Sequence, residues 1–214
     1  MVRQRVRIRF SKQGDLRLIG HRDLMRCLQR LFRRAGLPLG MSQGFHPKPR
    51  MSFPLALAVG IEGIDEVMEL ELAKVHTAEE VQGRLQQHAV PGLTFRKVEI
   101  LPEGSKKARV QAASYRMPIP SQFRRDLQNR IDRLMARTSC PIQRPKRRTP
   151  IDLRELLDEL TLQEGVLAMR LRTGGSGSAS PRDVLAELGL TELELADTEH
   201  QGIHLTRVAV EIQS

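Results

Sequence analysis

Residues 41–53, MSQGFHPKPRMSF, combine side chains that could hold an anion or transfer a proton. Pro47 and Pro49 fix their own φ angles and lack backbone donors, so the segment suits neither a helix nor a central strand. A stiff loop of this kind loses little conformational entropy when it binds a ligand. The sequence therefore predicts a preformed clamp that supplies positive charge and one aromatic ring, through Phe45, His46, Lys48 and Arg50. The alternative is an ordinary connection whose Phe45 packs in the core.

An arginine-rich helix is predicted immediately before this loop, over about residues 21–34. Its apolar side chains recur at helical spacing and fill one third of the circumference. Five arginines fill the opposite third: Arg22, Arg26, Arg30, Arg33 and Arg34. Because a guanidinium can bind a phosphate through two hydrogen bonds, we predict that this face contacts the phosphate backbone of a nucleic acid. The alternative is a solvated outer face, although such faces usually mix both signs of charge and only Asp23 lies near these arginines.

Two histidines in the same part of the chain, His21 and His46, could act as a general acid and base. That role requires the ring to lie within hydrogen-bonding reach of the proton it transfers, which the sequence does not establish. His21 falls at the start of the predicted helix, where it could simply act as a cap. We predict no catalytic residue, and keep a metal-independent RNA endonuclease that uses His21 or His46 as an alternative.

Two further segments have compositions typical of ligand binding. RPKRR, residues 144–148, predicts additional nucleic-acid contacts from Arg144, Lys146, Arg147 and Arg148. GGSGSASP, residues 174–181, resembles an anion-binding turn before a helix N-terminus. It lacks the lysine of a nucleotide-binding P-loop, so a flexible connection is favoured there.

The distribution of charge supports a polyanionic partner. The net charge is +10, and lysine and arginine outnumber aspartate and glutamate by 13 to 2 in residues 1–50 and again in residues 105–150. The acidic residues dominate by 9 to 4 in residues 51–104 and by 12 to 5 in residues 151–214. We therefore expect discrete positive regions on the folded surface rather than a uniformly basic one.

Hydropathy and cysteine content indicate the cellular compartment and the kinds of cofactor to expect. No apolar run is long enough to span a membrane, and the opening residues do not resemble a signal peptide, so we predict a cytoplasmic protein without membrane association. Cys27 and Cys140 are isolated and lack metal-binding spacing. We expect reduced thiols, no metal site and no cofactor.

Periodicity predicts the elements of the first half. Residues 2–10 alternate as a strand, residues 52–60 and 66–73 read as a hairpin, and residues 93–101 as a fourth strand. Thr77 and Glu80 have the spacing of a capping box, which predicts a second helix. The order is β-α-β-β-α-β, typical of ferredoxin-like folds.

The second half follows the same order less clearly. Strands are predicted over residues 113–120, 165–173 and 205–212, with helices capped by Ser121 and Ser180. Residues 151–160 look helical by composition, although the repeat requires a strand there. The predicted fold is α+β, with two tandem ferredoxin-like (βαββαβ) units of antiparallel sheets: residues 1–104 and residues 105–214.

Alternate residues of the opening strand form a second arginine row: Arg3, Arg5, Arg7 and Arg9. On an open sheet face these side chains could bind single-stranded RNA, although few aromatic residues are available to stack bases. Alternatively they pair with the acidic residues of the third strand, where Glu69 and Glu71 alternate.

Residues 7–63 contain GDLR, H-x-DLMR, RRAGLPL and SQGF-x-P-x-P-R-x-SF in that order. This combination resembles the bacterial family of radical-SAM-linked proteins, with weaker echoes at residues 151–154 and 181–185. Members of that family occur fused to, or encoded with, radical SAM proteins of the cobalamin-binding type. The resemblance implies an accessory role in modifying a macromolecule, such as RNA or a ribosomal component.

The sequence thus predicts a non-catalytic RNA-binding or ribosome-associated accessory protein, which serves a separate radical SAM enzyme and binds mainly phosphates. Two isolated cysteines cannot hold the iron–sulfur cluster of such an enzyme in this chain. Two alternatives stay open. One is a protein–protein adaptor for the radical SAM partner, and the other is the RNA endonuclease, since paired ferredoxin-like units also resemble the CRISPR repeat-RNA processing endonucleases.

Overall fold

The computed structural model describes residues 4–144, 149–174, 177–191 and 203–213, which adopt an α+β fold. Contacts divide the chain into two compact units: one comprises Met1–Arg109 with Ile212–Ser214, and the other comprises Val110–Glu211. The predicted division at residue 104 concerns independently folding domains and stays a prediction. Among the described residues, no helix is both long and apolar enough to cross a membrane.

The first unit contains four strands and two α-helices. In chain order these are β1 (Gln4–Lys12), α1 (His21–Arg34), β2 (Met51–Ser52), β3 (Glu62–Leu72), α2 (Ala78–Gln87) and β4 (Leu93–Ile100). The strands lie side by side in the order β2-β3-β1-β4, and each neighbouring pair is antiparallel. The first strand is therefore central, with a partner on each side.

One face of this sheet packs on α1 and α2. The alternating Val6, Ile8 and Phe10 of β1 are buried together with the apolar stripe of α1, including Leu28 and Phe32. Burying that stripe leaves the arginine face of α1 in solvent. The predicted bounds of α1 are confirmed, and so is the Thr77–Glu80 capping box of α2.

The predicted strand over residues 52–60 is wrong beyond its first residue. β2 ends at Ser52, where it pairs with Glu69, and the residues after it form turns and irregular backbone. Pro54 has no N–H to donate to a strand partner, which ends the pairing. β3 begins at Glu62, earlier than predicted, because the turn-like residues EGID belong to the strand.

The second unit contains short and long strands with three α-helices. They are β5 (Arg109–Pro118), α3 (Leu127–Ala136), β6 (Pro141–Ile142), β7 (Ile151–Asp152), α4 (Leu153–Leu156), β8 (Leu157–Gln163), β9 (Val166–Gly174), β10 (Gly177–Ser178), α5 (Pro181–Glu187) and β11 (Thr206–Gln213). β9 pairs antiparallel with β5, β8 and β10, and β11 lies beside β5. β6 and β7 form a separate antiparallel pair.

Of the two helix N-caps predicted in this unit, one is confirmed and the other is wrong. Ser180 caps α5 in a capping box with Asp183, as its sequence predicts. The prediction that Ser121 caps α3 is wrong, because Ser121 begins a 3₁₀ turn and Asp126 occupies the N-cap in a left-handed conformation.

The ambiguous segment from residue 151 is neither one helix nor one strand. Asp152 accepts hydrogen bonds from the backbone N–H groups of Cys140 (2.8 Å) and Arg154 (2.9 Å) and from the Ser139 hydroxyl (2.5 Å). These bonds stop β7 and begin the single turn of α4, after which the chain continues as β8. The Ser139 hydroxyl, followed by the Cys140 N–H, holds the pKa of Asp152 below its ordinary value.

Replacing Asp152 by asparagine should lower the free energy of unfolding at pH 7 by about 1–2 kcal/mol, since a charged acceptor of three hydrogen bonds is lost. The lowered pKa means that the carboxylate stabilises the fold above the pKa of the unfolded chain, and this contribution is lost as the pH falls through the folded-state pKa. Urea unfolding at pH 7 and at pH 3 measures the difference, which should shrink at the lower pH. An equal difference at both pH values would contradict the assignment.

Candidate nucleic-acid interface

The arginine face of α1 is exposed along its whole length: Arg22, Arg26, Arg30, Arg33 and Arg34 are all in contact with solvent. Within the described ranges, the side chains of Arg22, Arg30 and Arg33 have no hydrogen-bond or ion-pair partner. Arg26 lies 3.3 Å from Asp23, an exposed pair that contributes little binding energy. Three guanidinium groups of the row are therefore available for a ligand, and a fourth is only weakly paired.

One edge of the row borders a depression of about 370 Å³. Arg26, Arg30 and Arg34 line it at helical spacing, together with Asp23, Cys27 and Val90. The Arg34 guanidinium also donates to the backbone carbonyl of His88, 3.3 Å away. This bond ties the last turn of α1 to the end of α2, so the depression has a fixed wall on each side.

The loop after α1 is closed by hydrogen bonds between its two stems. Ser42 N–H donates to the Lys48 carbonyl (2.8 Å), and Lys48 N–H donates to the Ser42 hydroxyl (2.9 Å). Gly40 N–H donates to the Glu71 carbonyl (2.7 Å), while Glu71 N–H donates to the Arg50 carbonyl (3.0 Å). Both stems are thus anchored on β3, and the predicted rigidity of the loop rests on backbone pairing as well as on proline.

The tip of the loop projects into solvent. Phe45 is 103% exposed, and His46, Lys48 and Arg50 are exposed as well. The alternative in which Phe45 packs in the core is therefore wrong. Arg50 lies 3.3 Å from the Glu71 carboxylate, so its charge is partly neutralised within the chain. Lys48 and His46 have no side-chain partner among the described residues.

The loop and α1 meet at a second depression of about 470 Å³. It is lined by Arg33 and Gln29 of α1, by Leu37 and its neighbours, and by the loop stems at Met41 and Pro49. Arg33 therefore belongs both to the exposed arginine row and to the wall shared with the loop. The loop residues that line it are Met41 and Pro49. That the cationic side chains and the ring of the loop extend the arginine surface of the helix stays a prediction.

The arginines of β1 are neutralised, so the hypothesis that they form an open RNA-binding face is wrong for those described. Glu69 accepts from Arg7 Nη2 (2.8 Å) and Arg5 Nη2 (3.3 Å), and Asp65 lies 2.5 Å from Arg9. Arg7 and Glu69 are both buried. These ion pairs hold β1 against β3, as in the alternative that the sequence left open, with Glu69 as predicted and Asp65 as a partner that was not predicted. Arg3 lies outside the described residues.

The predicted basic tract at residues 144–148 can be described only at its first residue. Arg144 lies 2.5 Å from Asp183 and is half-buried, so it pairs within its unit. Lys146, Arg147 and Arg148 lie outside the described residues, as do two residues of the glycine- and serine-rich segment. The contribution of this tract to binding stays a prediction.

The two histidines occupy different environments. The ring of His21 packs edge-on against Phe53, with 5.1 Å between ring centroids, and no described residue forms a hydrogen bond with its side chain. His46 stands on the exposed loop tip. Within the described ranges no hydrogen bond joins them, and no group of three or more acidic, histidine or cysteine side chains is placed to hold a metal ion.

Sequence reasoning also missed a buried cation, Lys12. The residue is 1% exposed, and its ammonium group donates to the carbonyl of Ile19, 3.0 Å away. The buried Lys12 side chain therefore holds the backbone of the turn between β1 and α1 through this hydrogen bond. The signal was present in the sequence, because Lys12 continues the apolar side of the β1 alternation.

A family model described as "uncharacterized protein conserved in bacteria (DUF2344)" matches residues 5–181. A search of curated proteins found no match. Among solved structures, the chain is similar to an unknown protein from Galdieria sulphuraria, with 10% sequence identity, complete coverage of both chains and a TM-score of 0.28. A score this low supports no conclusion about the fold or the function.

Proposed function

The chain belongs to the DUF2344 family, and from that premise we propose that it is a non-catalytic accessory protein that binds RNA or a ribonucleoprotein through phosphate contacts. The observation that carries the proposal is the exposed arginine row on α1, in which Arg22, Arg30 and Arg33 have no partner among the described residues. Arginines that served only solubility would be expected alongside carboxylates on the same face. Here the row is accompanied by Asp23 alone among the described carboxylates, while Glu69 and Asp65 pair with the arginines of β1.

Electrostatic binding of this kind has a measurable signature. Each phosphate neutralised by a protein cation releases counterions, so affinity falls linearly with salt on logarithmic scales. The exposed row is short, and the β1 arginines do not extend it. The proposal therefore predicts a modest footprint of a few phosphates, supplemented by Lys48 at the loop tip.

We further propose that the protein presents its RNA to a radical SAM enzyme, as the resemblance to radical-SAM-linked proteins implies. We also infer that each unit is a ferredoxin-like βαββαβ module. The strand order β2-β3-β1-β4, with antiparallel neighbours, supports this for the first unit. The neighbours β8, β9, β5 and β11 support the same order for the second.

Filter binding of the full chain to a structured RNA over a salt series tests the binding. Replacing Arg22, Arg30 and Arg33 by glutamine should reduce the slope of log affinity against log salt by about two, and weaken binding at low salt at least roughly tenfold. The matched control replaces Arg96, Arg116 and Arg125, three exposed arginines outside the row. Salt-independent binding by the wild type, or equal losses in both triple variants, would reject the proposal.

A protein–protein adaptor is the second candidate, favoured by the exposed Met41, which lines the same depression as Arg33, and by the exposed Phe45 at the loop tip. Pull-down from a lysate with and without nuclease distinguishes the adaptor from the RNA-binding accessory protein. A radical SAM protein retained after nuclease treatment supports the adaptor, whereas a partner released by nuclease supports RNA-mediated association.

A further inference from the structure

The depression between α1 and the loop has walls unlike those of a phosphate site. Pro38, Leu39, Met41 and Pro49 line it, and they present carbon rather than hydrogen-bond donors. A phosphate placed against such walls would lose its hydration without gaining partners. The flat face of an aromatic ring has little hydration to lose and would contact these walls favourably. The volume of about 470 Å³ exceeds that of a purine or pyrimidine.

Two polar side chains stand at the edge of this depression, Gln29 and Arg33 on successive turns of α1. Gln29 is half-buried, and no described residue forms a hydrogen bond with its amide. An amide offers two donors and one acceptor oxygen, which match the mixed donors and acceptors on the edge of a base. Arg33 is exposed and unpartnered among the described residues, and its guanidinium suits the phosphate attached to such a base.

We propose that this depression is a nucleobase pocket, which receives a base splayed out of single-stranded RNA. The apolar walls contact the faces of the base, Gln29 reads its edge, and Arg33 holds the neighbouring phosphate. The inference rests on the proposed RNA binding and specifies its substrate as an unpaired segment rather than a continuous duplex. Bases in a duplex are stacked on both faces and could not enter.

The loop adds a second surface for a base. Phe45 is fully exposed at the tip carried by the same two stems whose Met41 and Pro49 line the pocket. An exposed phenylalanine ring is a stacking platform for any base, because every base has a flat aromatic face. The paired stems fix the backbone that carries the ring, which lowers the ordering cost of binding.

Fluorescence anisotropy with the full chain distinguishes base binding from phosphate binding. The probes are a labelled single-stranded 12-nucleotide RNA of mixed sequence and the same oligomer with its internal nucleotides made abasic, so that both carry equal charge. The wild type should bind the intact RNA about tenfold more tightly than the abasic one. Gln29→Ala combined with Met41→Ala should remove most of that ratio and leave the salt slope unchanged.

The Arg22/Arg30/Arg33→Gln variant serves as the complementary control, since it should lower the salt slope while most of the ratio persists. Circular dichroism of each variant verifies folding. Equal affinity of the wild type for intact and abasic RNA would overturn the pocket but leave phosphate binding standing. No binding to either RNA would reject the proposed function itself. Displacement of intact RNA from the wild type by an acidic peptide rich in leucine, with the intact-to-abasic ratio near one, would identify the depression as a protein-docking groove and also overturn the inference.

Discussion

Replacing Glu69 by alanine should lower the free energy of unfolding by about 3–5 kcal/mol, the usual loss when one partner of a buried ion pair is removed. The Glu69 side chain is 6% exposed and accepts from Arg7, Arg5 and the backbone N–H of Ala108, the last at 3.2 Å. Without it, the Arg7 guanidinium stays buried and loses its carboxylate. Urea denaturation of the full chain, followed by circular dichroism, measures the change.

Glu103→Ala is the matched control, because Glu103 is exposed on a turn of the same unit and should change stability by less than about 0.5 kcal/mol. The loss at Glu69 should also persist at high salt, since buried charges are screened far less than exposed ones. A loss below about 1 kcal/mol, or one that vanishes with added salt, would show that the pair is effectively solvated.

Replacing Gly92 by alanine should lower the free energy of unfolding by about 2–3 kcal/mol. The residue has a φ of +82°, and an added Cβ would lie 2.3 Å from the carbonyl oxygen of Gln13. That oxygen belongs to backbone, and the Gln13 N–H donates to the Gly92 carbonyl at 2.8 Å, so neither strand end can move aside easily. Thermal or urea unfolding gives the measurement.

The Gly104→Ala variant separates the cost of the left-handed backbone from the cost of the close approach to Gln13. Gly104 has a similar φ of +77°, but nothing lies within 4 Å of its added Cβ. Only the left-handed backbone is penalised there, by about 1 kcal/mol. Equal losses at the two positions would mean that the close approach between Gly92 and Gln13 relaxes without cost.

Helix α1 could be predicted from the sequence because its strongest signals are local. The apolar stripe, the opposing arginines and Gly36 beyond the last turn all lie within residues 21–36, and the observed bounds match. The capping boxes at Thr77 and Ser180 were equally local. Local chemistry of this kind needs no knowledge of tertiary partners.

The predictions that failed concern structure that is determined by residues far away in the sequence. Residues 52–60 have strand composition, yet pairing with Glu69 stops after Ser52. The β1 arginines could face solvent or carboxylates, and the register that places Arg7 opposite Glu69 decides the matter. That register links residues far apart in the sequence, so period and propensity alone could not specify it.

For the candidate interface, local sequence predicted the exposed side chains, whereas contacts between distant residues could not be predicted. Exposure of the α1 arginines follows from the helix period, whereas the partner of Arg50 and the wall shared by Arg33 and Met41 depend on how the loop returns to β3. Gln29 carried no signal in the sequence. Its role is inferred only because the returning loop places apolar carbon next to its amide, with which no described residue forms a hydrogen bond.

The central place of β1 has a consequence for synthesis of the chain. Gln4 pairs with Leu72 and Lys12 with Gly63, while the other edge of the strand awaits β4. Among the described strands of this unit β1 is translated before its partners, so it is left without them until most of the unit exists. During that interval the apolar side of α1 is uncovered, and long-range pairing of this sort is slow to close. Folding of this unit should consequently begin late, and it should benefit from holdase chaperones more than a helical bundle of equal size would.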